Sequence, residues 1–355
     1  MSEIVFILGA GASKRAGAPL MDDFLDVADD LTKQDFAKEV REDFDLVFKA
    51  RAELQQAHSK ARLDIRNLES VFAAFEMAKI LELLGSLTPE EIRSLPKAMK
   101  TLIVTTLELS INLPVSDRGV RPPPPYERFS DLIRVLVKAR RTVSVITLNY
   151  DLCLDYALSS LSLPVSYCLG GEGDERGTKF LKLHGSMNWA QCSNCKKVVA
   201  WKLPDYFRQV GRHPWGDETS VRLKVASNME HFKHCGDSSV EGVFIVPPTW
   251  NKAQYHEQLG MVWRAAAKEL KDAKEVYIIG FSLPPTDFFF RDFYALASIG
   301  PTLLRRFWVF NPDENVKEKF RDLLGPQAMS YFKFFPKLFD EAIQSIAAAT
   351  KTKTS

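Results

Sequence analysis

The chain has no run of apolar residues approaching the roughly 20 that a membrane-spanning helix needs, so no membrane association is expected. It has no excess of either charge sign. The formal net charge is +2, which leaves no electrostatic footprint for direct nucleic-acid binding or for a membrane surface. The N-terminus carries no basic n-region, and its apolar run is too short for a signal peptide. Cysteine is scarce. Five cysteines in 355 residues, an odd number, do not suit a disulfide framework, and the expected location is the cytoplasm. No internal repeat is present. What remains is ordinary for a soluble globular protein: 46% hydrophobic and 26% charged residues. The length suffices for one large domain or two smaller ones.

The organising stretch lies at the start. Ile4-Val5-Phe6-Ile7-Leu8 is a continuous, partly β-branched apolar run, which reads as a buried strand. Gly9-Ala10-Gly11-Ala12-Ser13 follows, then Gly17-Ala18-Pro19 and a helical stretch from Leu20 to Leu31. Strand, Gly-rich turn and helix make the first half of a dinucleotide-binding unit, with helix-start N–H groups placed to cradle a pyrophosphate. Against the G-x-G-x-x-G pattern, Gly9 and Gly11 fit and Lys14 occupies the third glycine position. A tight strand-to-helix turn without a ligand is the alternative.

Residues 32 to about 125 read mainly as a helical insertion. Leu63, Leu68, Val71, Phe72, Phe75, Ile80, Leu83 and Leu84 fall near helical spacing. Thr88-Pro89-Glu90-Glu91 reads as a capping box opening a helix to about Ile111, with a break expected near Leu95-Pro96. Arg121 to Tyr126, with four prolines, reads as a stiff extended connector. A helix over about Glu127 to Ala139 leads into a strand at Val143–Thr147, and another strand covers Phe180–Leu183. Gly170 to Gly177 reads as a mobile loop. Residues 190–240 hold three cysteines and few long apolar runs, as a small inserted module would. Strands are expected at Val243–Val246, Val276–Ile279, Phe307–Phe310 and Tyr331–Phe335. A helix over Leu338–Ala349 follows, and 346–355 forms a polar tail.

Strands alternating with helices predict an α/β fold with a doubly wound, mainly parallel sheet. Ligands in such sheets sit beyond the C-terminal strand edges. Polar and glycine residues end five of the apolar strands: Gly9-Ala10-Gly11, then Asn149 and Asp151, His184, Gly280-Phe281-Ser282, and Asn311-Pro312-Asp313. Each is compatible with a turn or an N-cap. Together they mark one rim as the candidate site.

These pieces, in this order, resemble the sirtuin (silent information regulator) family. The resemblance runs through Gly9 to Ser13 with Gly17-Ala18-Pro19, Thr147-Leu148-Asn149-Tyr150-Asp151, Leu183-His184-Gly185-Ser186, Cys192-x-x-Cys195, Gly280-Phe281-Ser282 and Phe310-Asn311. It implies a Rossmann-like domain spanning 1–345, with the insertion and a zinc-bearing module at 190–240. It also implies NAD as substrate and cleavage of the nicotinamide–ribose bond. By position, Gly9, Ala10, Gly11 and Ser13 would hold phosphates, with Pro19 completing that loop. Asn149 and Asp151 would line the nicotinamide and inner-ribose pocket, and His184 would be the general base. Gly280, Ser282 and Asn311 would contact phosphate and the adenosine ribose.

The chain departs from protein deacylases of the family. Gly17-Ala18-Pro19 is followed by Leu20-Met21-Asp22-Asp23-Phe24, with no Phe-Arg pair. The large helical insertion is also foreign to the deacylase plan. Both departures resemble the divergent bacterial sirtuin-like group, which implies an NAD hydrolase acting in anti-phage defence. A protein deacylase and a non-catalytic NAD or ADP-ribose sensor are the alternatives. An NAD-destroying effector must be restrained, which implies a homo-oligomer or a separate partner such as a HerA-type ATPase or other defence sensor. The second half of the expected zinc site is irregular. Cys192 and Cys195 pair with Cys235 and a histidine, His234 or His231, and His234 is the preferred fourth ligand. A decayed site that folds without metal stays open.

Overall fold

In a computed structural model of the chain, residues 2–34, 36, 38–55, 63–117, 119–170, 177–211, 215–216, 220–236, 238–248, 253–284 and 288–350 are described. Most of the loop expected between Gly170 and Gly177, and the end of the polar tail, lie outside them.

The apolar runs form one seven-stranded parallel sheet. From edge to edge its order is Phe332–Phe335, Arg306–Phe310, Glu275–Ile279, Ile4–Leu8, Val143–Thr147, Thr178–Lys182, Val165–Ser166. The first strand is central. It pairs with Glu275–Ile279 on one side and Val143–Thr147 on the other, in parallel register throughout. All five of its side chains are buried, as a strand covered on both faces requires. Chain direction across the sheet reverses at this strand, so the crevice between Ile4–Leu8 and Glu275–Ile279 is the topological switch point. Helices cover the sheet. Phe6 meets Phe129 of the helix Pro124–Lys138 edge-on at 5.0 Å, and Phe129 packs on Phe339 of the C-terminal helix Phe339–Ala349.

A second hydrophobic core unites two stretches that sequence patterning separates. Helices Phe24–Leu31, Lys38–Glu53, Leu68–Leu81 and Pro89–Ser110 bury Phe44, Phe72, Leu95 and Met99 together with Met187, Trp201 and Ile245 of the small module. That module contains a three-stranded antiparallel sheet, Val240–Ile245, Gly185–Cys192 and Val198–Ala200. A further sheet joins Leu113–Ser116 of the insertion to Ser220–Arg222 of the module. Glu108, at the end of the long helix, accepts hydrogen bonds from the Ala226 and Ser227 N–H groups at 2.7 and 3.2 Å. Burial nevertheless pushes its carboxyl up to about 7.

Four local expectations are corrected. The helix Pro89–Ser110 runs unbroken through Pro96. Its Thr88–Glu91 capping box is formed, and its apolar face packs over the whole length, which together outweigh a cost of about 3 kcal/mol for an interior proline. The proline run is not an extended connector, because Pro123 is the N-cap and Pro124 and Pro125 open the next helix, where a missing N–H costs nothing. Val243–Val246 does not join the main sheet. Its apolar run pairs with Gly185–Cys192 instead, and an apolar run does not encode which sheet it joins. The helix expected from Leu20 begins at Phe24, after a turn closed by the Leu20 N–H on Asp23.

Among the described residues, one ion pair lies wholly inside. Lys182, last residue of its strand and fully buried, puts Nζ 3.0 Å from Asp155 Oδ2 and 2.6 Å from the Asp151 carbonyl. Tyr167 donates to the other Asp155 oxygen at 2.5 Å. Removing one partner strands the other charge, so Lys182→Ala is expected to destabilise the fold by about 3–5 kcal/mol in urea unfolding. The paired Lys182→Met, Asp155→Leu variant should lose markedly less.

Candidate functional site

At the switch point two loops press together. Gly9 N–H donates to the Ile279 carbonyl at 3.0 Å, and Gly11 N–H to the Gly280 carbonyl at 2.9 Å. A Cβ on Gly9 would lie 2.5 Å from Phe281 Cα. Gly280 adopts φ +64°, and a Cβ there would meet the Ala12 nitrogen at 2.4 Å. These glycines are needed first for loop-on-loop contact. Two of the N–H groups expected to face a phosphate are thereby committed to carbonyls.

Beyond these loops opens a cavity of about 510 Å³, within the ~300–1,000 Å³ typical of small-molecule and cofactor sites. Of the residues singled out in the sequence, Gly9, Ala10, Gly11, Asn149, His184, Gly280, Ser282 and Asn311 line it. Ser13, Pro19 and Asp151 do not; all three are buried. Ser13 Oγ donates to Asp151 Oδ2 at 2.6 Å and sits 2.6 Å from the Tyr126 hydroxyl. Asn149 Nδ2 donates to the Gly9 carbonyl at 2.9 Å and to Ser13 Oγ at 3.2 Å. Both hydrogens of that amide are thus held by the Gly-rich loop, which leaves Oδ1 as the atom Asn149 can offer the cavity. Asp151 also accepts from the Cys153 N–H at 3.0 Å. Burial, reinforced by the Asp151 charge, pushes the Tyr126 phenol well above its usual range, so it stays a hydrogen-bond donor.

His184 directly follows the strand Thr178–Lys182 by one residue and is largely buried, at 8% exposure. Its carbonyl accepts from the Val246 N–H at 2.8 Å. Its ring lies 6.3 Å from that of Tyr150, whose hydroxyl donates to the Val246 carbonyl at 2.6 Å. The small module's sheet thus buttresses both rim segments.

Sequence reasoning missed several residues here. Tyr126 stood inside the proline run. Lys182, the last residue of its strand, fixes the carbonyls that follow Asn149. The cavity is also lined by Leu20, Met21, Asp22, Asn67 and Glu69, and by the cations Lys14, Arg15, Lys319 and Lys337. Arg15 pairs with Asp340 of the C-terminal helix, which Arg128 also reaches at 3.3 Å. The lining thus mixes these cations with the carboxylates of Asp22, Glu69 and Asp313.

Away from the rim, Cys192, Cys195, His234 and Cys235 bring their ligand atoms within 4.8 Å of one another. Cys192 ends a strand, and the Lys196 N–H closes a turn on its carbonyl at 3.0 Å. His234 Nδ1 lies 3.7 Å from Cys195 Sγ and 3.3 Å from Cys235 Sγ. A tetrahedral zinc with ordinary bond lengths sets such atoms roughly 3.5–3.8 Å apart, so the donor set fits a structural Cys3His zinc. The Cys195 N–H holds the Cys192 thiol down to about 6, making a thiolate available at neutral pH. His231 stands apart, exposed and beside Glu230. Elemental analysis should find one zinc per chain, and Cys195→Ser should abolish it and lower the melting temperature. Full-length protein that melts identically with and without chelator would contradict a structural metal.

No family model matches the chain, and no curated protein matches it. Among solved structures, a Sir2 homologue–NAD complex aligns with a TM-score of 0.43 at 14% identity, covering 98% of this chain and 90% of that one. A complex of Sir2 with p53 peptide and NAD+ aligns with a TM-score of 0.40 at 15% identity, covering 98% and 93%. A mutant Sir2 homologue bound to ADP-ribose gives 0.40 at 15% identity, covering 99% and 94%. At this distance the chemistry must be argued from the cavity's own residues.

Proposed function

We propose that the cavity binds NAD along the sheet edge and that the chain hydrolyses its nicotinamide–ribose bond. The supporting observation is that Asn149 and His184, carried by two different strands, line the same cavity as the glycine loops at the switch point. In this reading the pyrophosphate lies against Gly9–Gly11 and Gly280–Ser282, with Lys14 and Lys319 near it. Asn311 faces the adenosine ribose, and the inner ribose lies between Asn149 and His184. Ser13 and Asp151 hold the Asn149 amide in place.

The C1′–N bond breaks with its electron pair passing to the pyridinium nitrogen, so nicotinamide leaves neutral. Water forms the new C1′–O bond. His184 takes the proton from that water, a task suited to imidazole near neutral pH. Asn149 Oδ1 orients the water or a ribose hydroxyl without adding charge. The products are nicotinamide, ADP-ribose and a proton. Hydrolysis is favoured over transfer to an acyl-lysine because the Leu20–Asp22 segment is tied to the insertion. Leu68 N–H donates to the Met21 carbonyl at 2.9 Å, and Asn67 donates to Asp22 at 2.7 Å. In the sequence resemblance this segment stands where deacylases carry a Phe-Arg pair, and the chain has no such pair there.

We infer further, from the sequence resemblance, a restrained anti-phage effector whose NAD depletion is released by homo-oligomerisation or by a partner such as a HerA-type ATPase. A dilute monomer that turns over NAD at full rate would contradict that restraint.

Chromatography of NAD incubated with the protein should show nicotinamide and ADP-ribose without any acyl-lysine peptide. Nicotinamide released only when such a peptide is added would replace hydrolysis by deacylation. His184→Ala and Asn149→Ala should each lower turnover about 100-fold or more, with melting temperature kept. A folded His184→Ala protein with near-normal turnover would remove His184 from the base role.

A further inference from the structure

The hydrogen-bonded set around Asn149 has a definite direction, and its outermost member has no part in the mechanism above. Ser13 Oγ meets Asp151 Oδ2 at 2.6 Å, Asn149 Nδ2 at 3.2 Å and the Tyr126 hydroxyl at 2.6 Å. A serine hydroxyl has one proton to give and two lone pairs to receive with. The proton goes to Asp151, and the Asn149 Nδ2 group can only donate. One lone pair remains, and Tyr126 donates into it. Ser13 is thereby saturated, and all it can offer the Asn149 amide is an acceptor.

Each end of the set is fixed. Asp151 Oδ1 accepts from the Cys153 N–H at 3.0 Å. The Ser13 carbonyl accepts from the Ala16 and Ala18 N–H groups at 2.9 and 3.2 Å. Tyr126 is 1% exposed, its N–H donates to the Pro123 carbonyl at 2.9 Å, and its ring meets Phe339 of the C-terminal helix edge-on at 5.3 Å. The hydroxyl is therefore delivered by a rigidly held ring. Burial and the Asp151 charge keep the proton on the phenol. Tyr126 does not line the cavity, whereas Asn149 does.

We propose that Tyr126 is a positioning residue for the cleavage reaction: its hydroxyl, donated to Ser13 Oγ, holds that oxygen as the acceptor that orients the Asn149 amide, with Oδ1 left for the cavity. This rests on the NAD-cleavage reading. Accepting from Tyr126 strengthens the bond that Ser13 donates to Asp151, and that bond fixes the oxygen Asn149 reaches. Without the phenol, a buried lone pair of Ser13 loses its partner and Oγ is held from one side fewer. The orientation of a reacting or water-orienting group is what such a loss costs. A core that needed only the ring would be served as well by phenylalanine.

The test is a double-mutant cycle over wild type, Tyr126→Phe, Ser13→Ala and the double variant. On each, kcat for nicotinamide release, ADP-ribose Kd and melting temperature are measured. Tyr126→Phe keeps the ring and removes only the hydroxyl. The expected result is a kcat about tenfold lower in Tyr126→Phe, an ADP-ribose Kd within about twofold, and no further loss of kcat when Tyr126→Phe is added to Ser13→Ala. Near wild-type kcat in Tyr126→Phe overturns the role of Tyr126 and leaves the cleavage reading standing. So does a kept kcat with weakened ADP-ribose binding. If Tyr126→Phe also lowers the melting temperature, the cycle still decides. An equal loss of kcat in the wild-type and Ser13→Ala backgrounds marks a general structural effect and overturns the route through Ser13. Wild type that releases no nicotinamide overturns the cleavage reading itself, and this role with it.

Discussion

The rest of the site depends on the contact of two loops at the centre of the sheet, backbone against backbone. Gly11 donates to the Gly280 carbonyl, and neither Gly9 nor Gly280 has room for a Cβ. This contact sets the height of the rim. Asn149 is then pinned to the Gly9 carbonyl, so the Gly-rich loop fixes the one amide atom left for the cavity. A side chain at either glycine would push the loops apart and carry Asn149 with them. The glycines that sequence patterning assigns to ligand contact thus serve assembly first.

Behind that contact, buried polar groups hold what the glycines position. Ser13, Tyr126, Asn149 and Asp151 form one hydrogen-bonded set, and Lys182 draws in the Asp151 carbonyl from below. Such sets are worth most when every member is satisfied. The second hydrophobic core contributes from the other side. Its small sheet braces Tyr150 and His184 through Val246, and its helix Leu68–Leu81 reaches the cavity with Asn67 and Glu69. The insertion and the Cys/His-bearing module therefore act on the rim as one packed body.

Much of the main sheet was legible because strands buried on both faces keep continuous apolar runs, as Ile4–Leu8 and Glu275–Ile279 do. The rim was legible because parallel strands place their polar exits on one edge. The Thr88–Glu91 box was legible because capping is local chemistry. Partnership was not legible. Nothing in Val240–Ile245 says that it pairs with Gly185–Cys192, since periodicity encodes burial and not the neighbour. The proline run misled because Pro124 and Pro125 fit a first helical turn as well as an extended chain. Lys182, Asp155, Tyr126 and Glu69 escaped notice because a buried polar residue is defined by partners distant in sequence. Glu69 in particular looks like any surface acid at a helix start until the Leu68–Met21 hydrogen bond turns that start toward the cavity.

The central claim is that NAD lies across the glycine contact with its inner ribose between Asn149 and His184. The most direct measurement is a crystal structure of the His184→Ala protein saturated with NAD. The account predicts the pyrophosphate against Gly9–Gly11 and Gly280–Ser282, with C1′ of the nicotinamide ribose beside Asn149 Oδ1. A cavity left empty at saturating NAD, or a dinucleotide bound elsewhere on the chain, would contradict it.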